Sequence, residues 1–184
     1  MQSKPIPVIF DTDIGSDIDD TWALAMLLKC PELDLKYAVS DEGDTVYRSR
    51  LLAKLLTVAG REDVPVGVGL RREENEGPQG KWLAGYQLSD YGGRVDEDGV
   101  QGLIDTIMNS PEPITLICVG PVPNIAEALR REPSIAARTH FVGMHGSIEC
   151  GINRVPGAQR EFYVFWDVEA CRTVFAAPWL SATI

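Results

Sequence analysis

Five carboxylates fall within ten residues near the start of this 184-residue chain. They are Asp11, Asp13, Asp17, Asp19 and Asp20, in the run Phe10-Asp11-Thr12-Asp13-Ile14-Gly15-Ser16-Asp17-Ile18-Asp19-Asp20. Two like charges about 4 Å apart repel by roughly 4 kcal/mol at an effective dielectric near 20. Such a concentration is unfavourable unless a cation neutralises the acids or some of them are protonated. Hard oxygen ligands of this kind suit Ca²⁺ or Mg²⁺. Gly15 permits a turn tight enough for carboxylates on either side to converge. A plainer role for Asp17, Asp19 and Asp20 is to decorate a helix N-terminus, where the dipole favours acids. That role accounts for only part of the cluster.

Spacing tests two further loop chemistries. An EF-hand loop needs Gly at position 6 and Glu at position 12; counted from Asp11 these are Ser16 and Trp22, so the EF-hand fails. A phosphohydrolase of the haloacid dehalogenase type also carries a strand followed by Asp-x-Asp, and would use Asp11. Its usual Thr or Val two places after the second Asp is Gly15 here, and three acids are left unexplained. It stays open as an alternative.

The elements around the loop alternate. Pro7 to Phe10 is a short apolar run ending at Asp11. From Asp19, the spacing of Trp22, Ala23, Ala25, Met26 and Leu27 predicts an amphipathic helix ended by Pro31. Leu33 to Val39 alternates like a strand, and Thr45 to Ala59 predicts a helix stopped by Gly60. Val64 to Val68 is the next strand, after which 71–98 lacks a period. Helix, strand and helix follow at Val100–Met108, Ile114–Val119 and Ile125–Arg131. His140–Met144 reads as a strand, 145–160 as a Gly-rich loop, Glu161–Trp166 as an apolar aromatic stretch, Val168–Ala176 as a helix and Leu180–Ile184 as a strand. The rhythm predicts an α/β fold, a mostly parallel Rossmann-like sheet flanked by helices, in one domain over 1–184. Ligands in such sheets sit beyond the C-terminal strand ends.

Lys and Arg number 17 against 27 Asp and Glu, a formal charge of −10, which weighs against nucleic acid as a partner. No apolar stretch approaches the roughly 18 residues of a membrane span. Met1 to Pro5 leads directly into the first strand rather than into a signal-peptide apolar region. Cys30, Cys118, Cys150 and Cys171 form no CxxC pair, and a reduced, cytoplasmic setting is expected.

The segment from Asp11 to Asp20 closely resembles the N-terminal signature of the inosine–uridine-preferring nucleoside hydrolases. Further stretches agree in order: Glu42-Gly43-Asp44, Gly60 to Val66, Val119 to Ala126, Val142-Gly143-Met144-His145-Gly146, and Glu161-Phe162-Tyr163 followed by Asp167. The resemblance implies a Ca²⁺ ion and hydrolysis of a ribonucleoside to ribose and free base. By position it implies Asp13 as general base and metal ligand, Asp20 as the main carboxylate clamp, and Val119 as a backbone-carbonyl ligand. Asp19 takes the ribose-binding role with Asp17 as its competitor, Asp44 stands near the ribose, and Met144, Glu161 and Tyr163 complete the sugar pocket. Tyr163 stands where the family has Asn. His145 is a candidate proton donor to the leaving base, with a structural hydrogen bond as the alternative. Trp82, Tyr86 and Tyr91 are candidates for stacking on the base, or for packing their loop onto the domain.

Members of the family continue well past the position of Ile184. The C-terminal part carries a late metal-binding Asp and, in many members, a His beside the leaving base. The expectation is therefore a C-terminally truncated domain with exposed apolar residues among Val174, Phe175, Trp179 and Leu180, covered by a homo-oligomeric contact or a separate C-terminal segment. A catalytically inactive metal- or nucleoside-binding remnant is the alternative to an active hydrolase.

Overall fold

The computed structural model describes residues 4–184; Met1 to Ser3, part of the stretch read as leading into the first strand, lie outside the described residues. Seven strands are found among the described residues: β1 (Ile6–Thr12), β2 (Leu33–Ser40), β3 (Val66–Gly67), β4 (Val95–Asp96), β5 (Ile114–Cys118), β6 (Thr139–Gly143) and β7 (Ser181–Thr183). They form one sheet in the order β4-β3-β2-β1-β5-β6-β7, and every neighbouring pair is parallel. The chain therefore winds outward from β1 to β4 and then resumes on the other side of β1 with β5. That reversal opens a crevice beyond the C-terminal ends of β1 and β5, the switch point at which such sheets bind ligands.

Helices α1 (Asp19–Lys29), α2 (Thr45–Ala59), α3 (Gly80–Leu83), α4 (Gly99–Asn109), α5 (Pro123–Arg131), α6 (Phe162–Trp166) and α7 (Val168–Ala176) complete the domain. Side chains alternate across a strand, so β1 feeds two cores. Val8 and Phe10 pack with Leu24, Leu51, Leu52 and Leu56 from α1 and α2, while Ile9 packs with Leu103, Ile125 and Val174 from α4, α5 and α7. In β2 the register steps between Val8↔Leu35 and Ile9↔Tyr37, leaving Lys36 as an extra, exposed residue. That bulge puts Leu35 in one core and Tyr37 in the other.

Helix boundaries follow the sequence signals closely. In α2 the Asp44 carboxylate accepts from the Tyr47 N–H at the start. Gly60 closes the helix in the left-handed region (φ 67°), its N–H reaching the Leu56 and Thr57 carbonyls. The inward face of α1 is only partly the predicted one: Leu27 is buried and Ala23 packs on the core, joined by Asp20 and Leu24, whereas Trp22 and Met26 stand 69% and 67% exposed. The i, i+4, i+7 set beginning at Asp20 turns inward because that carboxylate is bonded to Thr12 on β1.

The third predicted strand shrinks to Val66–Gly67, and the aperiodic 71–98 stretch contains α3, a 3₁₀ turn and β4. Trp82 and Tyr86 pack the loop onto α2, and Tyr91 onto the segment that follows it. The Lys54 ammonium lies 4.9 Å from the Trp82 ring centre, the Tyr86 hydroxyl is 3.0 Å from that of Thr57, and Tyr91 donates to the Val64 carbonyl at 2.6 Å. Near the C-terminus the expectation divides: Val174 is fully buried and Trp179 half-buried, while Phe175 and Leu180 are exposed beside the edge strand β7. No helix among the described residues is long and apolar enough to cross a membrane.

Candidate active site

β1 ends in Asp11 and Thr12, both fully buried, and Asp13 follows at 6% exposure. Thr12 Oγ1 accepts from the Ile14 N–H (3.1 Å) and donates to Asp20 Oδ1 (2.5 Å), which ties the loop to the first turn of α1. Gly15 adopts φ 113°, and a Cβ there would come within 2.5 Å of Leu51, so the turn requires glycine. The loop after β5 passes close by. A Cβ on Gly120 would lie 2.9 Å from the Asp13 nitrogen and 3.2 Å from its Oδ1, so the Val119–Gly120 backbone runs against Asp13.

Behind this layer lies a second acid pair. Asp11 Oδ2 accepts from Asn124 Nδ2 (3.0 Å), and Asp41 Oδ1 accepts from the Glu42 N–H (2.7 Å). Asp11 Oδ1 and Asp41 Oδ2 are buried without a fixed partner. Burial raises the proton affinity of both groups, and the neighbouring Asp11 raises that of Asp41 further. In the front layer burial also pushes Asp13 up to about 7, with the Asp20 charge adding and Arg48 opposing. Burial likewise lifts Asp20 to about 6.

A cavity of about 1330 Å³ opens over this floor. Of the residues singled out from sequence, Asp13, Asp17, Val119, Met144, His145, Glu161 and Tyr163 line it, whereas Asp20 lies outside the lining. The Tyr163 hydroxyl donates to Asp13 Oδ1 at 3.3 Å, across 150 residues of sequence. Glu161 caps α6, accepting from the Tyr163 and Val164 N–H groups and from that of Gly146. This fixes the aromatic stretch as a helix whose first turn faces the cavity.

Several expectations change. Asp17 lines the cavity, whereas Asp19 is exposed at the first position of α1 and outside the lining. Asp44 is also outside the lining. Its carboxylate caps α2, pairs with Arg71 at 3.2 Å and accepts from the Asn75 N–H, contacts that hold it below its ordinary range despite burial. From the same turn it is Glu42 that reaches the cavity. His145 Nε2 lies 2.9 Å from the Gly120 carbonyl, which can only accept, so that nitrogen carries the proton. Burial lowers the proton affinity of the ring, which leaves a neutral imidazole with an unprotonated Nδ1. The structural hydrogen bond expected as the alternative role is present in this placement. Trp82, Tyr86 and Tyr91 are not in the lining. Asp11, the residue the phosphohydrolase alternative needs, is wholly buried and does not reach the cavity.

Two residues escaped the sequence analysis. Asn124 is fully buried; besides Asp11 it donates to the Ser40 carbonyl (3.0 Å) and accepts from the Leu70 N–H (2.9 Å). Arg48 is buried under the acidic loop. Neither has a local signal: every side-chain partner of Asn124 is 54 or more residues away, and Arg48 reaches the acidic loop from 32 to 35 residues away.

A cation fits the donor set in part. Among the described residues, no three His, Cys, Asp or Glu side chains converge as a ready-made cage. Asp13 and Asp20 are nonetheless desolvated carboxylates of raised proton affinity, and the Asp20 charge raises that of Asp13 further, the condition a hard divalent cation relieves.

The family model for the inosine-uridine preferring nucleoside hydrolases matches residues 8–184. The chain belongs to that family. It is 32% identical over 183 residues to the pyrimidine-specific ribonucleoside hydrolase RihA of Citrobacter koseri, covering 92% of this chain and 56% of that one. It is 34% identical over 180 residues to the non-specific ribonucleoside hydrolase RihC of Salmonella paratyphi B, covering 91% and 56%. Among solved structures, the plant nucleoside hydrolase PpNRh1 superposes with a TM-score of 0.73 at 27% identity, over 98% of this chain and 60% of that one. This nucleoside hydrolase family member therefore spans little more than half the length of the curated relatives it matches.

Proposed function

We propose that the chain carries the catalytic floor of a ribonucleoside hydrolase, cleaving the N-glycosidic bond to give ribose and the free base. The observation that supports this best is Asp13. It is a nearly buried carboxylate facing a large cavity at the switch point of a parallel sheet, in a chain of the nucleoside hydrolase family.

Asp13 acts as general base, accepting the proton of the attacking water. A carboxylate whose proton affinity is raised toward neutrality is suited to that transfer. The Tyr163 hydroxyl, donating to Asp13 Oδ1, fixes which oxygen faces the water. As the bond to the base breaks, the sugar gains oxocarbenium character. Asp17 and Glu161 on the cavity wall supply the negative field that stabilises it. Met144 adds apolar surface, and His145 closes the wall as a neutral ring held by Gly120.

Asp13, Asp20 and the Val119 carbonyl would hold a divalent cation, for which Ca²⁺ is our assignment. When bound, it supplies Lewis acidity that eases the ionisation of water and neutralises the acidic floor. The thiols of Cys118 and Cys171, buried and unpaired, suit the cytoplasmic setting proposed here. A second copy or a separate segment would cover the apolar edge at Phe165, Leu180 and Ile184.

The test is ribose release from inosine and uridine with and without added Ca²⁺, comparing the wild-type chain with Asp13→Ala. Loss of a general base lowers the rate by about 10²–10⁴-fold. Equal release by both proteins would refute the role of Asp13. Nucleoside binding without any release by the wild type would favour the inactive-remnant alternative.

A further inference from the structure

Beneath the acidic loop lies a guanidinium that the mechanism above does not use. Arg48 projects from the first turns of α2 and is only 7% exposed. Its Nη1 donates to the main-chain carbonyls of Asp13 and Ile14 (3.0 Å for the latter) and to Ser16 Oγ (3.1 Å). On its other side, Nη2 donates to the Glu42 carboxylate and Nε to the Glu42 carbonyl at 2.8 Å. Five acceptors from two loops thus meet one planar fork.

Glu42 itself is informative. It stands at φ 64°, a left-handed conformation that a non-glycine residue keeps only where its surroundings over-determine it. Arg48 provides that constraint by gripping both the carbonyl and the carboxylate of Glu42. The acidic groups on either side of the fork, Asp13 and Asp17 on one loop and Glu42 on the other, all line the same cavity.

We propose that Arg48 is the positioning residue of this site. Its guanidinium clamps the β1–α1 loop to the β2–α2 loop, so that Asp13, Asp17 and Glu42 face the ligand in fixed register. It also brings an internal positive charge to the acids while spending its bonds on carbonyls, a hydroxyl and Glu42. The link to cation and nucleoside binding rests on the function proposed above; the clamp itself does not. Lysine cannot substitute, because a point ammonium with three donors does not reproduce a fork that spans two loops.

The experiment uses the full chain with two variants, Arg48→Lys and Arg48→Ala, after thermal unfolding has established that each folds. Three properties are read: amide hydrogen exchange of Ile14 to Asp17, Ca²⁺ affinity by calorimetry, and kcat and KM for ribose release. In Arg48→Lys, exchange of those amides should speed up and Ca²⁺ affinity fall, each by about tenfold, the effect of losing one hydrogen bond to a charged group. kcat should fall while KM changes little. In Arg48→Ala, guanidinium ion in the millimolar range should restore affinity and slow exchange, whereas potassium chloride at equal ionic strength should not. The proposal is overturned if Arg48→Lys leaves both exchange and affinity unchanged, or if the two salts act alike. Should Arg48→Ala fail to fold, Arg48→Lys decides alone. Should the wild type neither bind Ca²⁺ nor release ribose, the functional proposal fails, and exchange in Arg48→Lys still decides whether Arg48 is the clamp.

Discussion

Replacing Asn124 by leucine isolates the contribution of one buried amide to the architecture under the site. Asn124 links three elements: its Nδ2 reaches Asp11 on β1 and the Ser40 carbonyl ending β2, and its Oδ1 receives the Leu70 N–H beyond β3. Leucine conserves bulk but satisfies none of the three. Each buried polar group left without a partner costs about 1–3 kcal/mol. Three neighbouring losses share relaxation and are not additive, which gives about 3–6 kcal/mol for Asn124→Leu. That is a large part of a typical total stability of about 5–15 kcal/mol. In a domain of this size it corresponds to a fall in Tm of about 10 °C or more. Urea unfolding measures it directly, with the midpoint falling and the m-value unchanged. A loss below about 1 kcal/mol would refute the accounting, because it would mean that water or a rearranged loop satisfies all three groups.

Further outcomes follow from the same geometry. Asp13 and Asp20 keep protons at pH values where the unfolded chain has released them, since both folded-state values lie above the ordinary carboxylate range. Stability of the metal-free protein should therefore fall as pH rises from about 4.5 to about 7.5, and added Ca²⁺ should restore it at the upper end. Buried Asp11 and Asp41 act in the same direction; neutral His145 opposes them as a single group. Thermal unfolding across that range, with and without Ca²⁺, checks the sign, and a metal-free protein that grows steadily more stable would contradict it. Tyr163→Phe should lower kcat for ribose release by about tenfold with an unchanged circular dichroism spectrum, because only the hydroxyl that orients Asp13 is lost. Unchanged turnover would remove Tyr163 from the mechanism.

Local signals explain why most elements were legible in the sequence. The α2 limits follow from an N-cap Asp and a left-handed Gly, and the α1 start from acids in its first turn. The weak points had non-local causes. The Lys36 bulge arises from pairing between β1 and β2, and β4 is two residues at the edge of the sheet paired with β3. Trp22 and Met26 fit a helical stripe, yet Asp20 rather than either of them selects the buried face. At the site, Asp13 and Tyr163 were identified separately, but nothing in their local context announces a hydrogen bond across 150 residues.

The sequence by itself determined the alternating α/β plan, the acidic loop at the end of β1, the family, and hence the class of chemistry. These depend on periodicity, capping and a contiguous motif, all short-range properties of a chain. Only the tertiary structure decided which acids line the cavity, with Asp17 and Glu42 in the lining and Asp19 and Asp44 outside it. It also bonded His145 Nε2 to the Gly120 carbonyl and brought Asn124 and Arg48 under the loop. The physical reason is that a carboxylate, imidazole or guanidinium takes its role from its partners and its desolvation, and both are set by segments that meet only when the sheet closes.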